Sequence, residues 1–300
     1  MLQPATPLVL PPALAPGELV AVIAPSSPFP RDELLRGLAW LRARYRIRIS
    51  SRVIGGARHG FLAGSDEARS TELSQSLRDP DVKAIVAARG GYGAMRILDA
   101  VAWDELVRTP KWVVGFSDVT ALHACAWRLG IASVHGPNVT GLGQASVAAR
   151  AAWLGALERP ASSKAWDGLV VLRGGTAEGV LVGGNLAMVH AMTAAGRLTI
   201  PDGAVLALED VTEAPYRVDR MLTSLLLGGH LARASAIVFG GFDRCPPGPD
   251  GRTVEEVLAE RTSGLGLPVL AGAPFGHGAR NDAFVLGRHV RVDGGALRWL

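Results

Sequence analysis

The chain has 300 residues, of which 48% are hydrophobic and 19% charged, with a formal net charge of +4. That length suits two domains with sizeable cores, and the composition excludes a chain disordered throughout. Basic residues are scattered; the densest run, Arg42 to Arg48, reads as a helix end entering a short strand and not as a nucleic-acid face.

Two cysteines, Cys125 and Cys245, form no CxxC pair. Neither a metal site nor a disulfide framework is expected, and no cofactor is called for. Cys125 falls in an apolar helical pattern and reads as a small core residue.

The Pro-rich start, residues 1–18, lacks the charged opening and continuous apolar stretch of a signal peptide. No apolar run approaches bilayer-spanning length, so no membrane partner is expected and the cytoplasm is the expected location. Residues 18–24 (ELVAVIA) read as a buried strand ending at Pro25-Ser26-Ser27-Pro28. Leu34, Leu35, Leu38 and Leu41 then recur at helical spacing. VKAIVAA (82–88) reads as a second buried strand, stopping at Arg89-Gly90-Gly91-Tyr92-Gly93 before a helical pattern. KWVVG (111–115) reads as a third, stopping at Phe116-Ser117-Asp118 before a helix to about Leu129; IASV (131–134) reads as a fourth.

Strands alternating with helices predict a parallel sheet covered on both faces. Ligands of such sheets bind beyond the carboxyl ends of the strands. The loops APSSP, ARGGYG and GFSD all lie on that edge. A helical stretch at roughly 145–157 then gives way to Arg159-Pro160-Ala161-Ser162-Ser163-Lys164, which reads as a boundary. Residues 1–158 are assigned to an N-terminal domain, about 159–167 to a linker, and 168–300 to a C-terminal domain. The latter carries the short strand patterns GLVVL, EGVLVGG, AVLALE, SAIVFG, PVLAG, AFVLG and HVRVDGG, with helical patterns at 185–194, 215–227 and 253–262.

Ser117 stands at a strand-to-helix turn, where a serine is pushed clear of the sheet above a helix N-terminus whose N–H groups can hold an oxyanion. The local run Gly115-Phe116-Ser117-Asp118-Val119 lacks the second glycine of GxSxG, and Ser117 or Asp118 could instead cap the helix. Seven histidines are available as a base. His277, in the Gly-flanked loop PFGHGARND (274–282), is the accessible one. The base needs an orienting acid. Glu209 ends the apolar run AVLALE; Asp210 and Glu213 are its rivals, and any of the three could cap a helix or pair with Arg217 or Arg220. In the RGGYG turn a glycine N–H could complete an oxyanion hole, and Arg89 could meet a carboxylate. Asn185, after Gly183-Gly184, reads as a helix N-cap.

Taken together, FLAGSDEARSTEL (61–73), DPDVKAIVAARGGYGAMRIL (79–98), GFSDVTAL (115–122), GGNLAMV (183–189), LEDVTEAPYRVDRML (208–222) and APFGHGARND (273–282) resemble the serine LD-carboxypeptidases, or muramoyltetrapeptide carboxypeptidases, with the microcin immunity peptidases as relatives. The resemblance implies a flavodoxin-like parallel-sheet N-terminal domain and a smaller β-rich α/β C-terminal domain. It implies Ser117 as nucleophile, His277 as base and Glu209 as its orienter. The backbone N–H of Asp118 and of Gly90 or Gly91 would form the oxyanion hole. Arg89 and Tyr92 are candidate substrate contacts. The implied reaction releases terminal D-Ala from murein tetrapeptides in peptidoglycan recycling, without metal, nucleic acid or membrane, by a homodimer. The alternatives are an immunity-type peptidase cleaving aminoacyl-nucleotide conjugates, with Trp153 and Trp166 as the aromatics near the linker, and a non-catalytic small-molecule binding module.

Overall fold

The computed structural model describes residues 8–300, so the first seven residues of the Pro-rich start lie outside the described part. The chain divides into two compact units. Among the described residues, one comprises Val9–Ala161 with Asp282–Val285; the other comprises Leu8, Ser162–Asn281 and Leu286–Leu300.

The first unit is built on strands β1 (Leu19–Ile23), β2 (Arg46–Ile49), β3 (Val82–Ala87), β4 (Trp112–Gly115) and β5 (Ser133–His135). They pair in parallel in the order β2-β1-β3-β4-β5, the flavodoxin-like arrangement. The central strands are unbroken apolar runs because helices cover both faces; every residue of β4 is buried. The order reverses between β1 and β3, which opens a crevice at their carboxyl ends.

The second unit contains β6 (Ala165–Trp166), β7 (Val170–Arg173), β8 (Thr176–Asn185), β9 (Val205–Val211), β10 (Ala236–Asp243), β11 (Val269–Ala271), β13 (His289–Asp293) and β14 (Ala296–Trp299). Strands β8 to β11 run parallel, joined by the helices Leu186–Ala194, Pro215–Leu227 and Val254–Thr262. Antiparallel strands complete the sheet: β7 beside β11, and β13, β14 and β6 beyond β8. The helix starts are encoded locally. Asn185 Oδ1 accepts from the Met188 N–H at 3.2 Å. Thr253 and Glu256 form a reciprocal capping box at 2.8 and 3.2 Å.

Between β11 and β13 lies β12 (Phe284–Leu286), which sits on the outer side of β5 in the first sheet. Its apolar run says it is a buried strand but not which sheet receives it. Among the described residues, no helix is long and apolar enough to cross a membrane.

Candidate active site

Ser117 follows β4 and adopts a left-handed backbone conformation, φ 66°. Only a turn held by its surroundings keeps a non-glycine residue there, at an ordinary cost of about 1–3 kcal/mol. Three groups hold it. Asn138 Oδ1 accepts from the Phe116 N–H at 3.3 Å. A side chain at Gly115 would collide with Asn138 Oδ1 at 2.7 Å and with Val119, so the strand end must be glycine. His123 Nε2 lies 2.9 Å from the Gly115 carbonyl oxygen. Complete burial pushes the His123 pKa down to about 4, so the ring is neutral and Nε2–H is the donor.

Among the described residues the non-glycine positions with positive φ are Ser117, Thr212 and Arg244. Thr212 and Arg244 directly follow β9 and β10, and Ser117 lies two residues past β4, each at the carboxyl end of a strand of its own sheet. The Ser117 side chain caps no helix. Asp118 does cap one, but across the sheet: its Oδ2 accepts from the Ala94 N–H at 2.7 Å, just past the RGGYG turn. Burial pushes the Asp118 carboxyl above its ordinary range, against Ser26 and the Ala94 and Gly93 amides, which hold it down.

Of the two candidate oxyanion glycines, Gly90 faces Ser117: a methyl group on it would stand 2.8 Å from Ser117 Cβ and 3.1 Å from its Oγ. Gly91, φ 105°, lies against Ser27 instead. The Ser27 N–H donates to the Gly90 carbonyl at 3.2 Å, and the Ser27 hydroxyl accepts from the Tyr92 N–H at 3.0 Å. Arg89 is exposed, and its Nη1 donates to the Pro28 carbonyl at 2.6 Å. Tyr92 is half exposed and meets Phe61 edge-on, with ring centres 5.6 Å apart. The APSSP and ARGGYG loops are thus stitched into one rim of the β1/β3 crevice.

In the second unit, Glu209 on β9 has no solvent exposure, and its Oε2 lies 2.7 Å from His277 Nδ1. With Nδ1–H donating to that carboxylate, Nε2 is the ring nitrogen that carries the lone pair in the neutral imidazole. The loop that carries His277 is pressed against β10: the Gly241 N–H donates to the Phe275 carbonyl at 2.8 Å. A side chain at Gly276 would meet Gly241 O at 3.2 Å and Glu209 Oε2 at 3.4 Å. The rival acids are engaged elsewhere. Asp210 accepts from Asn185 Nδ2, Ala187 N and Val211 N at 2.9, 2.9 and 2.8 Å. Burial pushes its pKa up to about 6. Glu213 stands 3.7 Å from Arg217.

Sequence reasoning missed the neutral His123 beneath the elbow, the cap that Asp118 forms on a distant turn, and a buried arginine, Arg69. Asp118 was visible in the motif as a backbone donor; nothing local signalled its side-chain partner. Trp153 is fully buried against Trp40 and Tyr45. Trp166 stacks on Phe275 at 5.5 Å and meets Trp299 edge-on. Both are packing residues.

Residues 20–136 match the family model for the LD-carboxypeptidase N-terminal domain, and residues 178–292 the model for the C-terminal domain. The chain is 38% identical to a putative carboxypeptidase of Synechocystis sp., over 94% of each protein. It is 34% identical to the murein tetrapeptide carboxypeptidase of Pseudomonas aeruginosa, over 93% of this chain and 94% of that one. The crystal structure of muramoyltetrapeptide carboxypeptidase from Oxalobacter formigenes superposes with a TM-score of 0.84 at 29% identity, covering 94% of this chain and 97% of the other. With both domain models matched in order and relatives aligned along nearly its whole length, this chain belongs to the LD-carboxypeptidase family.

Proposed function

We propose that the protein is a serine LD-carboxypeptidase that removes the terminal D-Ala from murein tetrapeptides, with Ser117, His277 and Glu209 as its triad. The observation that carries the reading is the 2.7 Å Glu209–His277 contact, in which a carboxylate sealed from solvent fixes the tautomer of a partly exposed imidazole. An acid–base pair of this kind serves a nucleophile, and Ser117 at its strained turn is the nucleophile of the chain.

In this mechanism His277 Nε2 takes the Ser117 proton as Oγ attacks the carbonyl carbon joining the diamino acid to D-Ala. The Asp118 and Gly90 N–H groups receive the oxyanion. Collapse breaks the C–N bond, His277 returns the proton to the leaving amine, and water repeats the cycle to free the acyl-enzyme. Arg89 is the candidate partner of the terminal carboxylate, and Tyr92 lines the approach. The reading carries with it a cytoplasmic place in peptidoglycan recycling and a homodimeric state.

Cleavage of aminoacyl-nucleotide conjugates is the weaker reading, because the two tryptophans that could have stacked on a base are consumed by packing. The test is incubation with L-Ala-γ-D-Glu-meso-diaminopimelate-D-Ala, read by mass spectrometry beside Ser117→Ala. Loss of one alanine with the wild type alone supports the proposal; no loss with either moves the activity to another conjugate.

A further inference from the structure

Arg69, on the helix Asp66–Arg78, has no solvent exposure. A buried guanidinium is costly unless its donors are used, so their targets say what it is for. Its Nη1 donates to the carbonyl of Pro25, in the loop after β1, and to that of Gly93, in the loop after β3, the latter at 2.9 Å. Its Nη2 meets Asp66, which Arg96 also grips, at 2.8 Å. One nitrogen thus bridges the two lips of the β1/β3 crevice.

The candidate oxyanion glycine, Gly90, lies in the turn that ends at Gly93 and is bonded to the loop that begins at Pro25. From Pro25 the chain runs to Ser27, whose N–H holds the Gly90 carbonyl. From Gly93 it runs to Ala94, whose N–H is held by Asp118, next to Ser117. The segments that Arg69 ties together thus hold the Gly90 carbonyl on one side and the Asp118 carboxylate, beside Ser117, on the other. The turn is also shaped to admit the guanidinium: a side chain at Gly93, φ 122°, would come within 3.0 Å of Nη1.

We propose that Arg69 is a positioning residue that sets the Gly90 amide against Ser117 by tying the Pro25 and Gly93 carbonyls to one another. This rests on the assigned nucleophile and reaction. Arg69 touches no reacting atom in this role, and its effect falls on the oxyanion step, hence on kcat and not on KM.

The test uses the full chain with Arg69→Met, which keeps most of the side-chain length without its donors, and Arg69→Lys, which keeps an ammonium donor but lacks the planar fork. Turnover of the tetrapeptide is measured at a temperature where circular dichroism shows each variant fully folded. A kcat lowered fivefold or more, with KM within threefold of wild type, is the expected result. A merely structural role would lower the melting temperature and leave kcat per folded molecule alone, so a fall of less than fivefold, or one carried by KM, overturns the proposal. If the wild type does not cleave the peptide, the assigned reaction fails and hydrogen exchange decides instead. Amides of residues 89–94 should then exchange at least fivefold faster in the folded variant, with those of 120–128 unchanged. Absence of that local change overturns the positioning role independently of the substrate.

Discussion

Gly90 and Ser117 touch so closely that glycine is the one residue that fits: an added Cβ would stand 2.8 Å from Ser117 Cβ and 3.0 Å from the Phe116 carbonyl oxygen. The backbone there does not require glycine by its φ, so the demand is purely steric. Gly90→Ala should therefore fold and still lose activity. The methyl must displace the elbow or the donor by several tenths of an ångström, and kcat should fall roughly 100-fold, as when one oxyanion donor is lost. Steady-state kinetics on the tetrapeptide, with a thermal melt as control, reads this out; activity near wild type would count against Gly90.

The left-handed turn at Ser117 separates chemistry from stability. Ser117→Ala and Ser117→Gly should both be inactive. They should differ in melting temperature, because glycine escapes a backbone cost of about 1 kcal/mol that alanine keeps, less what it loses in unfolded-chain entropy. Ser117→Gly is expected to melt no lower than Ser117→Ala. A clearly lower value would mean that the turn is unstrained.

Glu209 offers the reverse test. Its Oε2 faces His277, and its Oε1 is buried with no partner among the described residues. Glu209→Gln removes a sealed charge, so stability should hold or rise. Losing the carboxylate that supports the imidazolium should lower kcat roughly 10³–10⁴-fold. Differential scanning calorimetry beside the peptide assay checks both halves; a large drop in melting temperature would recast the glutamate as structural.

His123 predicts a pH dependence of stability. Its folded pKa, about 4, lies below its ordinary 6.5, so the folded protein binds fewer protons there than the unfolded chain. Its contribution is present above pH 6.5 and is lost as pH falls through that window to about 4, amounting to roughly 3 kcal/mol at most. Urea unfolding of wild type and His123→Gln at pH 7 and pH 4.5 should show a steeper loss in the wild type. Parallel losses would rule out titration of this ring.

Much of the fold was legible because parallel sheets write their strands as uninterrupted apolar runs. VKAIVAA and KWVVG need no partner to be recognised, and the three loops ending such runs already marked the edge where Ser117 and Gly90 meet. The two-residue edge strand β6 and its neighbour β14 left no comparable run. Nor could AFVLG announce that it joins the first sheet, since a buried strand looks alike in either. The hidden part of the site is its long-range bonding. Asp118 reaching Ala94, and Arg69 reaching two carbonyls, depend on where the backbone travels after many residues, which periodicity does not record.

The return of β12 to the first sheet means that the first unit is not one continuous stretch of chain. The chain leaves the first unit after Ala161, comes back for Asp282–Val285 and leaves again. A fragment ending at residue 161 would bare the outer side of β5, an open hydrogen-bonding edge inviting association with other chains.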